Sequence, residues 1–338
     1  HNMEEAKNAY EDGADYLGVG AIFSTETKND AQDVSMKTLN EICQKVDIPV
    51  VAIGGINQVN ILEFMGVAID GVAIVSSIFG SDDIQKASSL LKDKIQRVIS
   101  NKMPTCLTIA GSDSSGGAGI QADIKTISAL GGYAASAITA VTVQNTLGVR
   151  AVHAIPPEIV CGQIEAVMED LQPASVKIGM VNDIQIVHVI AECLRKYSPE
   201  HIIYDPVMVS TSGRKLMTDE AIEEIKNELL PLVTLITPNI DEAMVLTGNS
   251  IQNTQDMLAA AKQLSIDYQT HILIKGGHLE GDKMCDLLYS PDHTYYIYEE
   301  KKIETKNLHG TGCTLSSAIA SYQAKGYSMK ESIRHAKE

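Results

Sequence analysis

No stretch of this chain reaches the roughly 18 consecutive apolar residues of a membrane span. The first residues, His1-Asn2-Met3-Glu4-Glu5, carry neither a basic n-region nor an apolar h-region, so nothing there reads as a secretory signal. The cysteines, Cys43, Cys106, Cys161, Cys193, Cys285 and Cys313, include no Cys-x-x-Cys pair and no zinc-ligand spacing. This predicts a reduced, cytoplasmic protein without a disulfide framework, most of its cysteines serving as small buried hydrophobes. Positive charge is scarce: 27 Lys and Arg stand against 43 Asp and Glu, a net charge of −16. Such a surface argues against a general nucleic-acid binder or an anionic-membrane binder, while anionic small molecules remain open to local groups. What is present is ordinary globular composition, 44% hydrophobic and 21% charged, and 338 residues suit two domains. It is compatible with a homo-oligomer.

Residues 1–100 alternate helix and strand. Amphipathic helices are predicted at 3–11, 36–46, 59–65 and 82–99, and apolar strands at 15–19, 49–53 and 71–76. The strands lack polar alternation, as in buried parallel sheets. Three strands make a poor sheet alone, so the expectation is the C-terminal part of a (β/α)8 barrel whose front lies outside this sequence. Residues 101–105 form a short polar connector with a proline. From 106 to 338 a second α/β pattern predicts strands at 106–110, 137–142, 175–179, 201–204, 235–237 and 271–275, and a β pair at 295–299 and 302–305. Helical stretches between them predict a doubly wound sheet covered on both faces. The chain stops in helical pattern, and the expectation is of a cut C-terminus.

In the first segment, Ala52-Ile53-Gly54-Gly55-Ile56 and Ile74-Val75-Ser76-Ser77 follow successive strands. Paired loops of that kind bind phosphate through main-chain N–H groups in barrels, although a lone Gly-Gly is equally turn chemistry. Ahead of them, Phe23-Ser24-Thr25-Glu26-Thr27-Lys28 follows a strand end. Together with Gly13-Ala14-Asp15-Tyr16, these motifs resemble the C-terminal half of thiamine-phosphate synthase. The resemblance implies that Thr25, Thr27, Gly55, Val75 and Ser76 hold a thiazole phosphate and that Lys28 touches a pyrophosphate. It places the family's Mg²⁺-binding aspartates upstream, so synthase activity is expected only of a longer parent.

In the second segment, a predicted strand runs into Gly111-Ser112-Asp113-Ser114-Ser115-Gly116-Gly117-Ala118-Gly119 and a helix. Such a turn can line a pocket with N–H groups, and it can equally be a tight structural turn. It is not a Walker A loop and lacks dinucleotide spacing. Asp205 and Thr237-Pro238-Asn239-Ile240-Asp241-Glu242 follow later strands, where acidic groups face the ligand crevice of an open sheet. Asn239 and Glu242 also fit a helix cap with its reciprocal glutamate. His309-Gly310-Thr311-Gly312-Cys313-Thr314 opens an apolar helix. Its N–H groups suit charge developing on a phosphoryl group, and the helix dipole predicts a lowered Cys313 thiol pKa. A glycine turn with a buried cysteine is the plainer reading.

Taken together, 110–123, 140–146, 177–180, 205–208, 237–242, 274–278 and 309–314 resemble hydroxymethylpyrimidine/phosphomethylpyrimidine kinase, of ribokinase-like three-layer α/β/α fold. The resemblance covers nearly all of 104–338. It implies a pyrimidine held by Gly111, Asp123, Gln144 and Met180, Mg²⁺ organised by Asp205 and Glu242, and ATP near Asn239 and Lys275. Gly310, Thr311 and Gly312 would form the anion hole, with Cys313 as proton acceptor or hydroxyl-orienting group. The implied reaction phosphorylates the pyrimidine alcohol, then its monophosphate, in thiamine biosynthesis. A pyridoxal kinase of the same superfamily and a non-catalytic pyrimidine-binding module are the alternatives.

Overall fold

The structure, a computed structural model, describes residues 2–23, 34–99, 103–145, 148–181, 183–208, 217–276, 283–301 and 310–338. It divides into two compact units, 1–103 and 104–338. The first carries α1 (Met3–Glu11), β1 (Leu17–Val19), α2 (Met36–Cys43), β2 (Val50–Ile53), β3 (Gly71–Ala73), α3 (Ser76–Phe79) and α4 (Ile84–Ile99). The helix predicted at 59–65 is a short 3-10 turn, Ile61–Phe64. The strands form a three-stranded parallel sheet in the order β1-β2-β3. Leu39, Ile42, Val50, Ala52, Ile61 and Phe64 are at most 1% exposed, so even this small sheet has a packed core.

The second unit runs β4 (Thr105–Asp113), α5 (Gly119–Ala129), β5 (Tyr133–Asn145), β6 (Gly148–Ala154), α6 (Pro157–Asp170), β7 (Ser175–Ile178), α7 (Ile184–Tyr197), β8 (His201–Tyr204), α8 (Asp219–Glu224), β9 (Leu235–Ile236), α9 (Ile240–Thr247), α10 (Thr254–Tyr268), β10 (His271–Ile274), β11 (Lys283–Tyr289), β12 (Tyr295–Lys301), α11 (Thr311–Ala324) and α12 (Met329–Lys337). One nine-stranded sheet has the order β12-β11-β10-β9-β8-β7-β4-β5-β6. The six central strands, β10 to β5, are parallel, and the edges are antiparallel.

Alternation along each strand sorts its side chains between two cores. Leu107, Ile109, Val176, Ile178, Ile202, Ile236 and Ile272 join the residues of α6, α7, α9 and α10. Ile203, Leu235 and Leu273 meet Ile319 of α11 and Ile333 of α12, while Cys106 meets Ile127 of α5. One predicted pairing falls partly outside the described residues, and one strand is additional to the predicted set. Tyr295–Lys301 pairs with Lys283–Tyr289, and the partner predicted at 302–305 lies outside the described residues. β6, a half-exposed edge strand that its polar Arg150 and His153 hide from the sequence pattern, pairs antiparallel with β5.

Candidate functional site

The predicted residues of the second unit gather at the C-terminal ends of its parallel strands. On one flank, β4 ends beside the segment after β7. A Cβ on Gly111 would come within 2.5 Å of Met180 Cε, so the missing side chain admits the methionine. Met180 is further fixed by its carbonyl, which accepts from Thr139 Oγ1 at 2.9 Å. Gln144, near the end of β5, is pinned to the glycine-rich turn. Its N–H donates to Ser114 Oγ at 3.0 Å, and Ser114 donates back to its carbonyl at 2.8 Å.

The turn bears on the two readings of its glycines. Asp113 accepts from the N–H groups of Ser115, Gly117 and Ala118 at 2.8, 3.1 and 2.8 Å. These N–H groups are taken by the turn's own carboxylate, which favours the structural reading of the turn over the ligand pocket.

On the other flank, Lys275 Nζ donates to Asp205 Oδ1 at 2.9 Å, and Thr237 Oγ1 does so at 3.0 Å. Asp205 is buried, which opposes ionisation, but the Lys275 and Lys177 ammoniums hold its carboxyl below the usual range. Asn239 caps α9 and pairs with Glu242 in a reciprocal capping box, 2.8 and 2.9 Å. Asn239 also bridges to Lys275 along the sheet. Burial pushes the Glu242 carboxyl up to about 7; Lys275 opposes this, and the Asp205 charge adds to it.

The N-terminal turn of α11 closes the site. Gly310 has φ +80°, and a Cβ there would lie 1.8 Å from the Gly117 carbonyl oxygen. Only glycine fits that left-handed, crowded position. A Cβ on Gly312 would stand 3.2 Å from Lys275 Nζ and 3.5 Å from Asp205 Oδ2, so the turn lies directly against the ion pair. First-turn N–H groups of a helix have no intrahelical acceptor and favour anions. Cys313 follows, half-buried. Burial pushes its thiol up rather than down; the Lys177 charge opposes this without reversing it. The dipole-based expectation of a lowered pKa is therefore corrected, because desolvation of a thiolate outweighs a helix terminus.

Asp123 is also placed differently from its implied role. It has no exposed surface, and Lys177, Thr108 and Ser317 occupy its carboxylate, so it lies behind the site and not on its wall. Lys177 and Ser317 went unassigned at the level of sequence. The available signal was a lysine inside the apolar strand Ser-Val-Lys-Ile, since lysine is almost never fully buried without a partner.

In the first unit a cavity of about 630 Å³ opens at the ends of β1, β2 and β3, with Gly20, Gly54, Gly55, Val75 and Ser76 on its lining. Gly55, Val75 and Ser76 thus share one cavity, whereas Thr25, Thr27 and Lys28 lie outside the described residues. No helix among the described residues is long and apolar enough to cross a membrane.

The profile of phosphomethylpyrimidine kinase matches residues 113–338, and that of thiamine monophosphate synthase matches 1–78. The thiamine biosynthesis bifunctional protein ThiED of Geobacter sulfurreducens is 39% identical over the whole chain, which spans 69% of that protein. The hydroxymethylpyrimidine/phosphomethylpyrimidine kinase of Rhizobium meliloti is 47% identical over 68% of this chain and 86% of its own. Among solved structures, a phosphomethylpyrimidine kinase from Clostridium difficile superposes with TM-score 0.62 at 47% identity, covering 69% of this chain and 96% of that one. A Bacillus subtilis pyridoxal kinase, solved as an ADP complex, gives TM-score 0.65 at 34% identity, covering 70% and 89%. On these matches and this fold, the chain belongs to the phosphomethylpyrimidine kinase family, joined to a segment similar to thiamine monophosphate synthase.

Proposed function

We propose that residues 106–338 transfer the γ-phosphoryl group of ATP to the hydroxymethyl oxygen of 4-amino-5-hydroxymethyl-2-methylpyrimidine, and then to the resulting monophosphate. The observation that carries this reading is the convergence of the α11 N-terminal turn, the Asp205–Lys275 pair and Cys313 at one end of the parallel sheet. Phosphoryl transfer needs positioning and charge neutralisation more than covalent chemistry. Gly111, Gln144 and Met180 hold the pyrimidine, and Asp123 supports that wall from behind. Lys275 and the main chain at Gly310, Thr311 and Gly312 face the phosphoryl oxygens, with Asn239 on the nucleotide side. Cys313, in its thiolate form, takes the hydroxyl proton as the new O–P bond forms and ADP leaves.

Asp205 and Glu242 fit Mg²⁺. Both are buried, and Asp205 raises the cost of ionising Glu242, a like-charge strain that a divalent cation relieves. Mg²⁺ is commonly held by one or two carboxylates, with water and phosphate completing its shell. Bound there, it would neutralise phosphate charge.

Residues 1–100 are read as the C-terminal part of a (β/α)8 synthase barrel, with 101–105 as connector. A thiazole phosphate would sit against Gly55, Val75 and Ser76, with Thr25, Thr27 and Lys28 completing the site. The kinase product is the pyrimidine pyrophosphate that such a synthase consumes.

Incubation with ATP, Mg²⁺ and either the pyrimidine alcohol or pyridoxal, with products identified by mass, tests the reading. Phosphorylation of the pyrimidine alcohol in preference to pyridoxal is expected. Preference for pyridoxal would transfer the site to the second class of similar structures, and binding without turnover would leave a non-catalytic module.

A further inference from the structure

Beneath α11 lies a charged pair that no step of the proposed reaction uses. Lys177 stands in β7 between Val176 and Ile178, whose side chains enter the α6–α7 core. Alternation sends Lys177 to the opposite face. There it lies directly across from Thr108 of β4 and under α5 and α11. Its side chain has no exposed surface, nor has that of Asp123 on α5. The ammonium donates to both Asp123 oxygens at 2.9 Å. Thr108 Oγ1 and Ser317 Oγ donate to the same carboxylate at 2.5 and 2.6 Å. A Cβ on Gly179 would come within 3.0 Å of the ammonium, so the residue two positions on leaves it room.

The spacing of the partners gives this pair its meaning. Ser317 lies four residues after Cys313 on α11, and Asp123 lies four after Gly119 on α5. Residues four apart share a helix face, one above the other. Ser317 bonds Asp123, and at the start of the two helices a Cβ on Gly310 would lie 1.8 Å from the Gly117 carbonyl oxygen. The bond at Ser317 and the close approach at Gly310 together fix α11 against α5. A buried ion pair is weak evidence for stability in itself, since apolar residues of similar volume often serve as well.

We propose that Lys177 and Asp123 are positioning residues, which set the register of α11 on α5 and thereby place Cys313 and the Gly310–Gly312 main chain for phosphoryl transfer. The proposal rests on the kinase reading above. Among the described residues, the charged groups that bear on Cys313 are Lys177 of β7, Asp123 of α5, Asp205 after β8 and Lys275 after β10.

The test uses the full chain with Ser317→Ala and with the double variant Lys177→Met/Asp123→Asn, which removes both buried charges together. Both are checked for native circular dichroism. The expected result is a kcat about tenfold or more below wild type, with both KM values within about threefold, because misplacing reacting groups affects the transition state more than binding. A second readout needs no turnover: the iodoacetamide labelling rate of Cys313 at fixed pH, followed by peptide mass, should change about threefold or more, since thiol reactivity follows its surroundings. Folded variants with wild-type kcat and wild-type labelling would overturn the proposal and leave the pair as core filling. If the double variant does not fold, Ser317→Ala decides alone, because Lys177 and Thr108 still hold Asp123. Absence of kinase turnover in the wild type would sink the kinase reading, while the labelling result would still decide the α11 register.

Discussion

Cys313 sits where two residue-scale effects oppose each other. A helix N-terminus and the Lys177 charge favour a thiolate, and burial disfavours it more. A group with its pKa raised stays protonated to higher pH, so the thiolate fraction is small at neutrality and grows with alkali. The kinase rate is therefore expected to keep climbing with pH beyond the range where an ordinary thiol would level off, read from kcat against pH at saturating substrates. Cys313→Ala should lower kcat about 10²–10⁴-fold with little change in KM, the usual share of a general base. Cys313→Asp should recover part of the rate with a flatter profile, since a carboxylate is already ionised there. Near-normal kcat in Cys313→Ala would make the thiol packing only.

At the scale of elements, α12 is fastened to the sheet by a second buried pair. Lys337 Nζ donates to Asp286 Oδ2 of β11 at 2.6 Å, both side chains less than a tenth exposed. Asp286 Oδ1 in turn accepts from the Gly276 N–H, directly after Lys275. Removing one partner of a buried pair leaves an uncompensated charge. Lys337→Met should thus cost about 3–5 kcal/mol in urea unfolding of this unit, and adding Asp286→Asn should recover much of it. A loss below about 1 kcal/mol would show that water reaches the pair.

At the scale of the molecule, the two units have separate cores, and each predicted site lies within one unit. Cores of that kind behave as independent folding units. A chain of residues 104–338 should therefore keep the pyrimidine kinase kcat within about threefold of the whole. Loss of activity on removing residues 1–103, with the remainder folded, would mean that the first unit shapes the kinase site.

Much of the kinase site was legible because its chemistry is local in sequence. Gly310-Thr311-Gly312-Cys313 carries its turn, its helix start and its thiol within four residues, and strand-helix alternation predicts that acidic strand ends share one crevice. Local pattern also predicted the double-faced sheet, because uninterrupted apolar strands must be buried on both sides. Only the tertiary structure decided what distant groups do to one another. It spent the N–H groups of the glycine-rich turn on Asp113, buried Asp123 against a lysine 54 residues away, and raised the Cys313 thiol where the helix alone would lower it. The physical reason is common to all three. Hydrogen-bond saturation and desolvation depend on which atoms fill the space around a group, and that space is built from strands and helices far apart in the chain.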